Sequence, residues 1–70
     1  MSNKSDHKIA NNLKRLRKEK GYSLEKVSKL ADLSLNTVAK VESGANTNPT
    51  IETLIKIATA LDVDVNHLLK

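Results

Sequence analysis

The chain has 70 residues, which makes one small domain, and a chain of this size buries only about 60% of the surface that its unfolded form exposes. It contains no cysteine, which excludes disulfide bridges and thiolate metal sites. Its single aromatic residue, Tyr22, argues against an aromatic stacking surface for single-stranded nucleic acid. No apolar run approaches the ~20 residues of a membrane span, and the first residues lack the apolar core of a signal peptide. A cytoplasmic protein with no membrane partner is therefore expected.

The positive charge is concentrated at one end of the chain. The net charge is +4, but residues 1–20 carry seven Lys or Arg against two Asp or Glu, a net +5. The other fifty residues carry five basic and six acidic side chains, a net −1. This asymmetry indicates either a polyanion approached from one side or an ordinary solvated, lysine-rich helix.

The first predicted element is a helix that follows a polar tail. We expect residues 1–8 to form a flexible tail and residues 9–70 to form the folded domain. Ser5 or Asp6 is a suitable N-cap, and Gly21 ends the helix. Its apolar stripe consists of Ile9, Ala10, Leu13 and Leu16. Arg17 lies close to that stripe, where a charge needs a partner.

Residues 23–44 predict two short helices joined by a tight turn. Ser23 and Ser34 are N-caps, and Gly44 stops the second helix. Asp32 tolerates the left-handed turn between them. Leu33 is expected to pack into the core and so to anchor that turn. So short a connection forces a steep crossing, as in a helix-turn-helix whose second helix enters the DNA major groove. Two core helices with polar outer faces would show the same spacing.

The remaining residues predict a loop and two more helices, which gives an all-α fold of five helices. Residues 45–50 form the loop, and Thr50 caps the fourth helix. The predicted inward face of that helix consists of Ile51, Leu54, Ile55, Ala58 and Leu61, with Ile57 beside it. The two histidines lie at opposite ends of the chain without metal-ligand spacing, and no nucleophile or glycine-rich phosphate loop is recognisable. No cofactor, metal, small-molecule ligand or enzymatic activity is therefore expected.

Four segments together resemble the phage repressor and Cro-type helix-turn-helix family, also called the xenobiotic-response-element class. They are LKRLRKEKGYS, SLNTVAKVESG, NPTIETLIKIATALDV and HLL, in the order and with the spacing of that family. The resemblance extends from Ile9 to Leu69. It implies a compact, lambda-repressor-like DNA-binding domain that regulates transcription as a dimer on double-stranded DNA. It also implies a structural ion pair between Arg17 and Glu42.

This sequence departs from the family pattern at three positions of the helix-turn-helix. Leu24 stands where the family often has a glutamine that meets a DNA phosphate, Ser28 replaces a small alanine, and Asp32 replaces the turn glycine. None of these removes the fold. The missing glutamine changes the expected contacts with DNA.

The candidate base-reading residues lie in the N-terminal part of the third helix, where this family reads DNA. Leu35 offers apolar contact to a thymine methyl group, and Asn36 can pair bidentately with adenine. Lys40 can reach a guanine or a phosphate. Thr37 can contact either a base or the DNA backbone. The candidate phosphate contacts are hydroxyls, amides and helix N-termini around this helix: Ser23, Ser34, Ser43, Asn46 and Thr47. Simple helix capping also explains Ser23 and Ser34.

The C-terminal helix supplies the candidates for a homodimer interface. So short a helix needs fewer apolar residues for its own packing than the three it has, Val65, Leu68 and Leu69. All three would equally well cover the end of the core. The leading interpretation is a sequence-specific regulator of phage-repressor, restriction-controller or antitoxin type, either complete or part of a longer protein. The alternative is a protein-interaction module of the same fold, favoured by Leu24 and Leu35, two leucines that look exposed on the DNA-facing side.

Overall fold

The computed structural model describes residues 7–70, and this part of the chain contains five helices and no strand. They are α1 (Lys8–Lys20), α2 (Leu24–Ala31), α3 (Leu35–Ser43), α4 (Ile51–Ala60) and α5 (Asn66–Leu69). The predicted all-α, five-helix architecture is confirmed. The proposed caps Ser5 and Asp6, and most of the predicted tail, lie outside the described residues. None of the helices within residues 7–70 has the length and apolarity that crossing a bilayer requires.

The helix boundaries are fixed by short polar side chains and left-handed residues. The hydroxyls of Ser23, Ser34 and Thr50 each accept a hydrogen bond from the backbone N–H three residues later, at 3.0–3.1 Å. This bond satisfies one of the free donors of a helix N-terminus. At the opposite ends, Gly21 closes α1 with φ +72° and Gly44 closes α3 with φ +84°.

The core is aliphatic and draws on every helix. α2 packs against α3 and α4, while α1 packs against α3 and α5. The fully buried side chains are Leu13, Val27, Val38, Val41, Ile57, Leu61 and Leu68. Ser28 is the only buried polar residue within residues 7–70, and its hydroxyl donates to the Glu25 carbonyl at 2.8 Å. This bond lets a small polar side chain sit where α2 approaches its neighbours.

The predicted inward face of α4 was partly wrong. Ile51 and Ile55 are 61% and 50% exposed, whereas Ile57 is fully buried. Six of the ten residues of α4 are Ile, Leu or Ala, so apolar spacing alone allows more than one inward face. The position of α2 against α4 selects the stripe that contains Leu54, Ile57 and Leu61.

The C-terminal helix is part of the core. Leu68 is fully buried and Val65 is half-buried against the core, so only Leu69, at 42% exposure, reaches the surface to a large extent. The Asn12 side chain donates to the Leu68 carbonyl at 2.9 Å and ties α1 to α5. Leu68 is therefore a core residue and was wrongly chosen as a candidate for a dimer interface.

Candidate nucleic-acid interface

The turn between α2 and α3 is held by its backbone. Asp32 adopts a left-handed conformation, φ +57° and ψ +45°, as the sequence predicts. Its N–H donates to the Lys29 carbonyl at 3.2 Å, and the Leu33 N–H donates to the Ser28 carbonyl at 2.9 Å. These bonds satisfy two of the carbonyls in the last turn of α2. Leu33 is half-buried against the core, which fixes the path of the chain into α3.

Arg17 and Glu42 join α1 to the C-terminal half of α3. Arg17 Nε donates to Glu42 Oε1 at 2.7 Å, and a terminal guanidinium nitrogen donates to Oε2 at 2.9 Å. The other terminal nitrogen donates to the Tyr22 carbonyl at 2.8 Å. The two side chains are only 15% and 9% exposed. A bidentate pair with this little exposure fixes the orientation of α3 relative to the first helix.

The surroundings of Arg17 favour its charged form. The hydrogen bonding of Arg17 to the Glu42 carboxylate raises the pKa of Arg17, and the charge of that carboxylate raises it further. Partial burial opposes this shift because it penalises the charged guanidinium. The hydrogen bond outweighs burial, so the pKa of Arg17 is raised and its guanidinium stays charged.

The outer face of α3 presents side chains of three different chemistries to solvent. Leu35 is 43% exposed, and Asn36 and Lys40 are also exposed. Asn36 and Lys40 are four residues apart and so share one side of the helix. The opposite side is anchored by the buried Val38 and Val41. The core thus directs an amide, an ammonium group and an apolar side chain outward from one rigid element.

Thr37 is half-buried and belongs to the cap of α3. Its hydroxyl lies 2.7 Å from that of Ser34, and the Ser34 oxygen also accepts the Thr37 N–H at 3.1 Å. The two hydroxyls can share only one proton between them, so the other proton remains available to an outside acceptor. Ser34 and Thr37 therefore combine helix capping with a donor at the edge of the exposed face.

The other candidate phosphate contacts flank α3. Ser23 is exposed at the start of α2, with its oxygen occupied by the cap. Ser43 donates to the Lys40 carbonyl at 3.3 Å and accepts from the Ala45 N–H at 3.2 Å. The Asn46 N–H also donates to the Lys40 carbonyl, at 2.9 Å, and the Asn46 side-chain oxygen accepts from Asn48. Thr47 is exposed between them, so the loop is ordered around the end of α3.

The two leucines that looked exposed on the DNA-facing side differ in the structure. Leu24 is half-buried against the core, whereas Leu35 is exposed. Leu30, a further leucine of α2, is 48% exposed. The feature that favoured a protein-interaction module is therefore reduced to one of its two residues.

The geometry agrees with comparisons to known proteins. Residues 13–68 match the Helix-turn-helix (HTH_3) family. The chain belongs to this family. That result confirms the expected resemblance to repressor and Cro-type proteins.

Curated relatives and solved structures match most of this chain. The HTH-type transcriptional regulator SinR of Bacillus subtilis is 39% identical over 61 residues, which are 87% of this chain and 55% of SinR. This chain therefore spans about half the length of SinR. A crystal structure of SinR in complex with DNA superposes with a TM-score of 0.84 at 39% identity, covering 89% of this chain and 98% of the other. The crystal structure of the restriction-modification controller protein C.AhdI from Aeromonas hydrophila superposes with a TM-score of 0.86 at 33% identity. The superposition covers 94% of this chain and 98% of C.AhdI.

Two side-chain contacts of α1 with backbone carbonyls could not be predicted from the sequence. The Tyr22 carbonyl is a third acceptor for Arg17, and Asn12 anchors α5. Neither leaves a recognisable signal, because one partner in each contact is a backbone carbonyl that every residue type carries. The exposure of Ile51 and Ile55 was also missed, although the excess of apolar residues in α4 indicated that some would remain outside the core.

Proposed function

We propose that this protein regulates transcription by binding double-stranded DNA sequence-specifically, with α3 as the recognition helix in the major groove. The observation that carries the proposal is the exposed outer face of α3, with Asn36 and Lys40 on one side and the helix held in place by the Arg17–Glu42 pair. This role is binding rather than catalysis. It would be exercised in the cytoplasm, where bacterial DNA lies.

Three exposed residues of α3 each suit a different group on DNA. Asn36 is placed to form two hydrogen bonds with an adenine, and Leu35 to contact a thymine methyl group. Lys40, one turn further, reaches a guanine or a phosphate. The shared proton of Ser34 and Thr37 leaves one donor for a phosphate at the helix N-terminus. Ser23, Ser43, Asn46 and Thr47 are proposed to contact phosphates on either side.

Binding as a homodimer on a palindromic operator follows from the same mode of recognition. A single helix of this length reads only a few base pairs, and two copies related by a twofold axis read two half-sites about one helical turn apart. SinR with DNA and the controller protein C.AhdI are similar chains with regulatory roles, which supports a regulator here. The resemblance to repressor and Cro-type proteins favours repression as the mode of regulation.

The test is selection from a randomised duplex library, followed by fluorescence anisotropy of the selected duplexes across a salt series. We expect a palindromic consensus. Asn36→Ala is expected to lose about 1–3 kcal/mol of discrimination at one A·T position. Selection of no consensus, with weak and steeply salt-dependent binding, would contradict the proposal.

Lys40→Ala separates base reading from phosphate contact. If Lys40 reads a guanine, discrimination falls at one position; if it meets a phosphate, affinity falls for all sequences and the salt slope decreases by about 1. Lys70→Ala is the matched control, because it removes the same charge from an exposed position outside the helix-turn-helix. Its effect on discrimination should be negligible.

A further inference from the structure

The outer face of α4 is the most exposed apolar surface within residues 7–70. Ile51 and Ile55 are the two most exposed large apolar side chains in that part of the chain, at 61% and 50%. They are four residues apart and therefore form one stripe along the helix, which the exposed Thr59 continues. The DNA-binding role proposed above gives this stripe no function, since the candidate contacts lie on α2, α3 and the following loop.

Opposite charges flank the stripe on one side. Glu52 and Lys56 lie one turn apart, with 80% and 39% of their side chains exposed. Their charged atoms approach to only 3.8 Å, so each keeps most of its capacity for another partner. Both follow an isoleucine by one position, which places them along the same edge of the stripe.

This arrangement is self-complementary under one particular symmetry. When two copies of α4 pack antiparallel about a twofold axis between Ile51 and Ile55, Ile51 of one copy meets Ile55 of the other. The same operation brings Glu52 opposite the other copy's Lys56, and Lys56 opposite the other copy's Glu52. A parallel arrangement moves the charged edges to opposite sides of the interface and loses both pairs.

We infer that the outer face of α4 is the homodimer interface, formed by antiparallel pairing of α4 with α4 of a second copy. The self-complementary charges select a second copy over an unrelated partner. Two isoleucines per copy bury much less than the 1,200–2,000 Å² of a standard interface, so the dimer is weak in solution and strengthens on two adjacent half-sites. The inference rests on the proposed DNA binding for its role, but the pairing itself is measurable without DNA.

Disulfide crosslinking tests the pairing directly, because the sequence contains no cysteine. Ile51→Cys and Ile55→Cys proteins are oxidised separately and as a mixture. Antiparallel pairing predicts that the mixture forms mixed disulfides at least about threefold faster than either protein alone forms its own, since bridging needs Cβ atoms within about 4.5 Å. Leu30→Cys is the control, with nearly the same exposure on another helix. Equal rates of disulfide formation in the mixture, in each isoleucine variant alone and in the Leu30→Cys control would overturn the inference.

Charge reversal tests the orientation and leaves the core intact. Sedimentation equilibrium and cooperative binding to a two-half-site duplex are measured for Glu52→Lys, Lys56→Glu and the double variant. Each single change sets like charges opposite each other twice in the dimer, which should weaken dimerisation about tenfold. The double variant should restore it. Failure of the double variant to recover would overturn the antiparallel pairing.

Ile55→Lys separates this inference from the proposed function. We expect it to lose dimerisation and cooperativity by at least about 100-fold, while a single half-site is still bound and discriminated. Leu30→Lys should change neither. If wild-type protein neither crosslinks nor binds two half-sites cooperatively, the α4 interface is wrong although sequence-specific binding stands. If no duplex is selected but crosslinking succeeds, the proposed function fails and the interface stands.

Discussion

At the scale of single residues, Arg17 shows how one charge at the edge of the core is accommodated. Its guanidinium makes three hydrogen bonds, two to Glu42 and one to the Tyr22 carbonyl. Each acceptor replaces water that partial burial has removed. The sequence placed this charge beside the apolar stripe, and the family resemblance named Glu42. Only the structure shows that a backbone carbonyl completes the set.

Glu42→Ala should destabilise the domain by about 2–4 kcal/mol, because it leaves the guanidinium partly buried without its carboxylate. Urea denaturation monitored by circular dichroism measures the loss. Glu19→Ala is the control, since the exposed Arg15–Glu19 pair at 3.5 Å should contribute less than about 0.5 kcal/mol. Equal losses for the two variants would contradict a structural role for Glu42.

The raised pKa of Arg17 also fixes the sign of a pH effect. A group whose pKa is raised on folding adds stability that is complete below its unfolded-state pKa and is lost only as pH rises through the folded-state pKa. Titration of Arg17 should therefore leave the free energy of unfolding unchanged between about pH 7 and 10. Urea denaturation at several pH values, compared with that of Arg17→Met, measures this.

At the scale of elements, each of the three central helices begins at a hydroxyl cap, and the turn between α2 and α3 depends on one strained residue. Ser23, Ser34 and Thr50 could be identified from the sequence because an N-cap requires only a short side-chain acceptor. Asp32 has φ +57°, which disfavours residues with a side chain but not glycine. Local rules therefore sufficed for the boundaries of these elements.

Replacement of Asp32 tests this strain. Asp32→Gly should stabilise the domain by about 0.5–1 kcal/mol, and Asp32→Val should destabilise it, because a β-branched residue disfavours the left-handed region. Asp32→Asn removes the charge yet tolerates the same backbone, so it should change stability little. Thermal unfolding of the three variants provides the measurement. An increase for Asp32→Asn as large as for Asp32→Gly would attribute the effect to charge instead.

At the scale of the whole molecule, the packing of α2 against α4 decides which isoleucines support the core. Ile57 is fully buried, while Ile55, two positions earlier, is half exposed. The apolar spacing predicts Ile55 on the inward face and Ile57 beside it, so the two exchange places in the folded molecule. The same helix therefore presents one apolar stripe to the core and another to solvent, where it is available to a second copy.

The two isoleucines make a matched pair for a stability measurement. Ile57→Ala should cost about 2–5 kcal/mol, because it leaves a cavity among buried side chains. Ile55→Ala should change the unfolding free energy of the monomer by less than about 0.5 kcal/mol. Denaturation at low protein concentration keeps dimerisation from contributing. A loss at Ile55 that matches the loss at Ile57 would mean that the inward face is misassigned.

The sequence by itself determined the elements of this protein and the character of its recognition helix. Caps, left-handed turn residues and apolar spacing act within a few residues, so the five helices and the outward positions of Asn36 and Lys40 follow from local chemistry. Tertiary structure alone decided the exposed stripe of Ile51 and Ile55, the burial of Leu68 and the contact of Asn12 with α5. Each of these depends on where a distant helix packs, and apolar residues around most of a helix do not specify which side its neighbour covers.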